Sequence, residues 1–223
     1  MSGPAWERSV EVRTAAETHA LAAALGADLE TGDLLILTGE LGAGKTTFTQ
    51  GLGEGLGVRP GIISPTFVLV RIHPNLPEGP RPGGPDLVHV DAYRLDSAAE
   101  IDDIDLENTM DSAVTVVEWG RDRVEHLSDS RLEVELHRTR GGAAGAPAAG
   151  APAAGVPSEA SADSTAVDPA VEPGVLDFDT DDDDEPRTVV IRGFGPRWAE
   201  PPALPGFEAT PAERLPQTSE RNS

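Results

Sequence analysis

Apolar and polar residues alternate along Ser9-Val10-Glu11-Val12-Arg13, the period of a half-exposed strand. The period then changes. Thr14-Ala15-Ala16-Glu17 has the capping-box pattern, a hydroxyl at the cap with Glu three residues on, and it opens an Ala/Leu-rich helix over roughly residues 15–29. Thr31-Gly32-Asp33 is a turn. Leu34-Leu35-Ile36-Leu37-Thr38 is a short continuous apolar run, as expected of a strand buried on both faces of a parallel sheet. A Gly-rich turn, a helix near residues 45–56 and a strand over Val68 to Ile72 follow. Residues 74–86 are rich in Pro and Gly and read as a surface loop. Leu87-Val88-His89-Val90-Asp91 and Val114-Thr115-Val116-Val117-Glu118 are two more apolar runs, each ending in an acid. Between them Ser97-Ala98-Ala99-Glu100 repeats the capping pattern at the head of an acidic helix. Leu132-Glu133-Val134-Glu135-Leu136 alternates, and Thr188-Val189-Val190-Ile191-Arg192 does so more weakly. Short strands separated by helical stretches predict the α/β class, with a mostly parallel sheet flanked by helices.

Composition divides the chain. Residues 1–138 and 187–198 read as one core. Residues 139–186 run through GGAAGAPAAGAPAAGVP to Asp181-Asp182-Asp183-Asp184-Glu185. With few large apolar side chains, that segment cannot offset the ordering entropy of folding. It is expected to be a disordered insert in what would otherwise be a C-terminal antiparallel hairpin, a cheap addition because loop-closure entropy grows only logarithmically with length. Residues 199–223 read as a Pro-rich disordered tail. With no cysteine there is no disulfide framework and no thiolate metal site. No apolar run reaches the ~20 residues of a membrane span, so a soluble cytoplasmic protein is expected.

The net charge of −22 is uneven. Residues 1–138 hold 11 basic and 24 acidic residues, residues 139–186 hold 1 and 11, and residues 187–223 hold 5 and 4. Such a surface repels a phosphate backbone, which argues against direct binding of DNA or RNA. A nucleotide must be held by local features.

Gly39-Glu40-Leu41-Gly42-Ala43-Gly44-Lys45-Thr46 supplies them. It matches G-x-x-x-x-G-K-[ST] between an apolar strand and a helix, the setting a phosphate-binding P-loop requires. Gly39, Gly42, Ala43 and Gly44 let the backbone wrap phosphates with its amides inward, and Thr46 and Thr47 open the helix whose N-terminus faces the same charge. Lys45 reaches the β- and γ-phosphates, and the Thr46 hydroxyl is a Mg²⁺ ligand. Lys45 is the only lysine among 17 basic residues. Its slim ammonium fits a tight phosphate loop that a planar guanidinium would not.

A Mg²⁺ site also needs an acid at the end of a neighbouring strand. Asp91 and Glu118 both qualify, one for the metal and one to place the attacking water, and spacing does not allot the roles. His89 on its strand reads as a structural hydrogen-bonder. Ser64-Pro65-Thr66-Phe67 reads as a strand-entering turn, with Thr66 a candidate sensor of the γ-phosphate. Trp119 fits either core or interface. The acidic run at 181–185 reads as a solvated spacer.

Taken in order, GELGAGKTT, SPTF at 64–67, HVDAYRL at 89–95 and VVEWG at 116–120 resemble the TsaE (formerly YjeE) family of small ATPases, over roughly residues 9–138 plus a returning strand near 187–195. The resemblance implies a P-loop NTPase-like α/β fold that binds ATP with Mg²⁺ and hydrolyses it weakly when alone. It implies a role in forming tRNA N6-threonylcarbamoyladenosine (t6A) at adenosine 37 of ANN-decoding tRNAs. The partner it implies is a TsaB–TsaD-type heterodimer, with tRNA met only through that partner. It makes Thr46 and Glu118 the Mg²⁺ ligands, Lys45, Asp91 and Glu118 the catalytic set, and Asp91 an acid close to the γ-phosphate. It also brings Thr14 and an arginine of the late strand near the nucleotide. Arg187 is the choice, with Arg138 and Arg192 as rivals.

Two other readings stand beside it. A small P-loop kinase needs an acceptor pocket and a basic lid, and the segment after Glu118 offers only Arg121 and Arg123. A non-hydrolysing ATP-dependent binding module would use nucleotide only to order a docking surface. A GTPase is disfavoured because Asn108-Thr109-Met110-Asp111 lacks the lysine of a guanine reader.

Overall fold

The elements run β1 (Trp6–Val12), α1 (Ala15–Asp28), β2 (Leu34–Gly39), α2 (Lys45–Leu56), β3 (Val70–His73), β4 (Asp86–Asp91), the one-turn helix α3 (Glu107–Met110), β5 (Ala113–Glu118), β6 (Arg131–Arg138) and β7 (Arg187–Phe194). This is a computed structural model, and it describes residues 3–95, 106–138 and 185–207. The acidic helix expected from Ser97, the insert up to residue 184 and the tail beyond residue 207 lie outside the described residues.

The strands form one sheet in the order β1-β7-β6-β2-β5-β4-β3. Its centre, β6-β2-β5-β4, is parallel throughout. The edges are antiparallel: β7 and β1 on one side, β3 on the other. The expected α/β class and the C-terminal hairpin are both present. Leu132 pairs with Gly193 and Arg138 with Arg187, so the β6–β7 ladder holds its register although 48 residues separate the two strands in sequence.

Strands β2, β4 and β5 are buried over most of their length because both faces of the sheet are covered there, whereas β6 alternates buried and partly exposed positions. Leu35 and Leu37 of β2 point into a core shared with α1 and α2, while Leu34 and Ile36 point into a second core with Val88, Val90, Leu106, Met110 and Val124. Helices α1 and α2 approach closely through glycine. A side-chain carbon at Gly55 would lie 2.1 Å from the Ala23 carbonyl oxygen, and one at Gly51 would lie 2.3 Å from that of His19. The N-cap of α1 forms as the sequence indicates: Thr14 Oγ1 accepts from the Glu17 amide at 3.1 Å, and the Glu17 carboxylate accepts from the Arg13 amide at 2.6 Å.

One boundary moves. The expected tail from residue 199 begins too early, because Leu204 is buried in the α1/α2 core and Phe207 packs against it. Two apolar side chains within a Pro-rich stretch suffice to tie that segment down. At the antiparallel edge, charge links four segments. Arg121 donates to both oxygens of Glu135, at 3.2 and 2.9 Å, and Arg192 donates to Glu135 at 2.8 Å and to Glu7 at 2.5 Å.

Among the described residues, His73 and Glu135 carry shifts that cost stability in acid, while burial raises the Asp33 pKa and acts in the opposite direction. Burial, with His89 and Arg71 nearby, lowers the His73 pKa from 6.5 to about 4. As pH falls from 6.5 towards 4, the unfolded chain gains a proton that the folded protein resists, and stability declines. The hydrogen bond from Arg121 holds Glu135 at about 2 against an ordinary 4.5, so its contribution is present above 4.5 and is lost as pH falls towards 2. Urea unfolding followed against pH should therefore show a midpoint that drops in two steps on the acid side. Glu135→Gln should lower the midpoint at pH 7 and remove most of the lower step. An unchanged lower step in that variant would refute the assignment.

Candidate functional site

β2 ends where the Gly-rich loop begins, and the loop closes into the first turn of α2. Gly44, the cap residue of α2, has φ 95°, a left-handed conformation that glycine adopts without strain. The loop amides and the helix N-terminus therefore share one small volume, the arrangement that binds phosphate. Lys45 is 6% exposed. Its ammonium donates to the carbonyls of Gly39 and Glu40, each at 3.0 Å, and lies 3.8 Å from the centre of the Trp119 ring.

Trp119 takes φ 61°, rare for a bulky residue, with its amide bonded to the Leu37 carbonyl at 2.9 Å. Such conformations persist only where the surroundings enforce them, and they cluster at functional sites. Here the turn puts an aromatic face against the loop lysine, a cation–π contact. Tyr93 supports the indole from 5.3 Å between ring centres. The sequence left Trp119 between core and interface; the available signal was its position directly after the strand-ending acid.

The two acids separate by neighbours. Leu37 of β2 stands opposite Glu118 of β5, and Asp91 of β4 stands opposite Glu118 on the other side. Thr46 Oγ1 lies 3.4 Å from Glu118 Oε1, so a hydroxyl and a carboxylate converge at the head of α2. Asp91 is engaged elsewhere. Its Oδ2 accepts from Thr66 at 2.6 Å and from Ser64 at 3.3 Å, and its Oδ1 accepts from the Tyr93 amide at 2.9 Å. Thr66 thus sits both in a turn and on an acid at the site. The turn is closed by the amides of Val68 and Leu69 bonding back to the Pro65 carbonyl, at 2.9 and 2.7 Å.

His89 is fully buried and its Nε2 lies 2.8 Å from Glu118 Oε1. It is the structural hydrogen-bonder expected, and its partner is one of the site acids. Hard oxygen donors such as Thr46 and Glu118 suit Mg²⁺, which takes few protein ligands and keeps waters and phosphates for the rest.

On the far side of the loop stand two arginines. A side-chain carbon at Gly42 would lie 3.5 Å from Nη1 of Arg138, and one at Gly44 would lie 3.6 Å from Nε of Arg187. Both Arg187 and its rival Arg138 therefore lie against the loop. Arg192 does not, being held by Glu7 and Glu135. Thr14 lies two residues beyond Val12, whose register partner is Arg187, so it stands at the same end of the sheet with its hydroxyl engaged in capping. Gly39, Gly42, Ala43, Gly44, Lys45, Thr46 and Thr47 form a continuous path from β2 into α2.

A phosphate loop leading from a central parallel strand into a helix, with an acid on the adjacent parallel strand, defines the P-loop α/β class of nucleotide-binding proteins. Residues 12–143 match the family described as threonylcarbamoyl adenosine biosynthesis protein TsaE, and the chain belongs to that family. The tRNA threonylcarbamoyladenosine biosynthesis protein TsaE of Streptomyces coelicolor is 53% identical over 117 residues, covering 52% of this chain and 76% of that protein. The protein of the same name from Bacillus subtilis is 38% identical over 123 residues, covering 55% and 72%. A crystal structure of Bacillus subtilis YdiB shares the fold at a TM-score of 0.54 and 24% identity, covering 86% of this chain and 89% of that one.

The His89 tautomer is a direct check on this geometry. Nε2 faces the Glu118 oxygen, whereas Nδ1 is buried with no partner among the described residues. A proton on Nε2 serves the carboxylate and leaves only an acceptor unmatched. Nitrogen-15 imidazole spectra should show the Nε2–H tautomer, and a proton on Nδ1 alone would contradict the arrangement.

Proposed function

We propose that this chain is a Mg²⁺-dependent ATPase that serves formation of threonylcarbamoyladenosine in tRNA and acts in the cytoplasm with a TsaB–TsaD-type heterodimer. The observation that carries the reading is the convergence of Lys45, Thr46 and Glu118 on the amide-lined loop. Family membership supports the pathway, since the named relatives are threonylcarbamoyladenosine biosynthesis proteins.

The reaction is attack of water on the γ-phosphorus of ATP: a P–O bond to water forms, the bond to the ADP oxygen breaks, and the proton of the water passes to the phosphate product or to solvent, giving ADP and inorganic phosphate. Loop amides and Lys45 stabilise the charge that develops on the phosphate oxygens. Thr46 and Glu118 would hold Mg²⁺, which when bound would supply positive charge to the phosphates. His89 fixes the Glu118 carboxylate from behind. Asp91 has three donors on its two oxygens, so its part is to hold Ser64 and Thr66 beside the γ-phosphate position rather than to act as a free base. Arg187 and Thr14 serve the nucleotide from the opposite side.

Two features support a protein partner. Leu41 in the loop, Phe67 after Thr66 and Tyr93 after Asp91 are 87%, 87% and 62% exposed, a group of large apolar side chains around the site that suits an interaction surface. A net charge of −22 disfavours direct tRNA contact, so the partner holds the tRNA. Among the described residues no helix is long and apolar enough to cross a membrane.

ATP turnover measured on the full chain, alone and with the heterodimer, tests the proposal. Lys45→Ala and Glu118→Gln should each lower kcat at least about 100-fold, the scale on which removal of one transition-state-stabilising group acts. Near-normal turnover by either variant contradicts the site. Binding without turnover in every combination would make the chain a nucleotide-ordered docking module.

A further inference from the structure

Arg138 and Arg187 face each other across the β6–β7 ladder at the end that abuts the phosphate loop, on the side of β2 opposite Glu118. Both side chains lie against loop glycines, with Arg138 Nη1 and Arg187 Nε 3.5 and 3.6 Å from where a side-chain carbon would stand at Gly42 and Gly44. Arg187 is buried at 7% exposure and is tethered by the backbone, its Nη1 donating to the Glu185 carbonyl at 3.1 Å. Arg138 is engaged differently. Its Nε lies 2.9 Å from Oε2 of Glu185, with side-chain exposures of 25% and 42% for the two residues. Glu185 belongs to the long β6–β7 connection, two residues before β7 begins.

A guanidinium binds carboxylate and phosphate with the same donor fork. An arginine that lies against a phosphate loop while paired to a carboxylate therefore has a partner of the kind a nucleotide would bring. We propose that Arg138 is a second nucleotide-facing arginine and that Glu185 competes with the nucleotide's phosphates for it. The inference rests on the nucleotide-binding reading above. Binding a polyphosphate then requires the Glu185 carboxylate to leave Arg138 or to remain as a nearby like charge, and either alternative weakens affinity. Arg187 meets Glu185 through the backbone carbonyl, at 3.1 Å from Nη1.

The experiment is calorimetric titration of the full chain with Mg²⁺-ATP in five forms: wild type, Glu185→Gln, Arg138→Ala, Arg138→Lys and the Glu185→Gln/Arg138→Ala double variant. Lys45→Ala is the control for the underlying site, and thermal melts confirm folding. Partly exposed pairs have modest strength, so Glu185→Gln should tighten binding about three- to fivefold. Arg138→Ala should weaken binding, and Arg138→Lys, which keeps the charge, should restore part of the loss. In the Arg138→Ala background the Glu185→Gln gain should vanish. Unchanged or weaker binding by Glu185→Gln, or an equal gain without Arg138, overturns the proposal. The two levels separate cleanly. If wild type binds and Lys45→Ala does not, the site reading stands whatever Glu185→Gln shows. If wild type does not bind, both readings fall.

Discussion

Leu37 opposite Glu118, in the parallel pairing of β2 with β5, is the register on which the site depends. It brings the strand-ending acid to the head of α2, where the Thr46 hydroxyl meets it at 3.4 Å, and it lets the Trp119 amide cap β2 at the Leu37 carbonyl. Slipping a strand by one residue exchanges its faces, which would turn Glu118 away from the loop. The pairing is secured from both sides, because β2 is also parallel to β6 and buried in two cores. The buried His89–Glu118 contact adds a cost to any other arrangement, since a carboxylate at 3% exposure requires a partner.

Around this register the charges are segregated. Acids end β4 and β5 on one side of the loop, and arginines line β6 and β7 on the other. In a chain with a net charge of −22, two arginines thus lie against the loop, and on the proposed reading they face a polyphosphate. Short-range donors fixed in geometry prevail there, because the wider field is screened within about 10 Å at moderate salt. Lys45 illustrates the point: loop carbonyls and an indole face hold its ammonium in place.

Much of this was legible in the sequence. Continuous apolar runs ending in acids marked the buried parallel strands, and the Gly-rich octamer marked the loop between the right elements. The interrupted hairpin was visible because composition changes so sharply at residue 139. The rest depends on tertiary contacts that spacing does not encode. The roles proposed for Asp91 and Glu118 rest on which hydroxyls reach each carboxylate, and those come from the distant segments at Ser64–Thr66 and Thr46. Trp119 carries no one-residue signature of a left-handed backbone. Arg138 and Arg187 both reach the loop because they are register partners, a relation hidden by the intervening chain. The anchoring of Leu204 was missed because composition averages out single buried side chains.

The central claim is that the loop amides, Lys45, Thr46 and Glu118 together grip a metal-bound triphosphate. Isothermal titration of the full chain with ATP, with Mg²⁺ and then with the metal chelated, tests it most directly. The account predicts saturable binding that weakens when Mg²⁺ is removed, and a Thr46→Val variant whose residual affinity no longer responds to the metal. Absence of binding in the presence of Mg²⁺, or an affinity indifferent to the metal in the wild type, would contradict it.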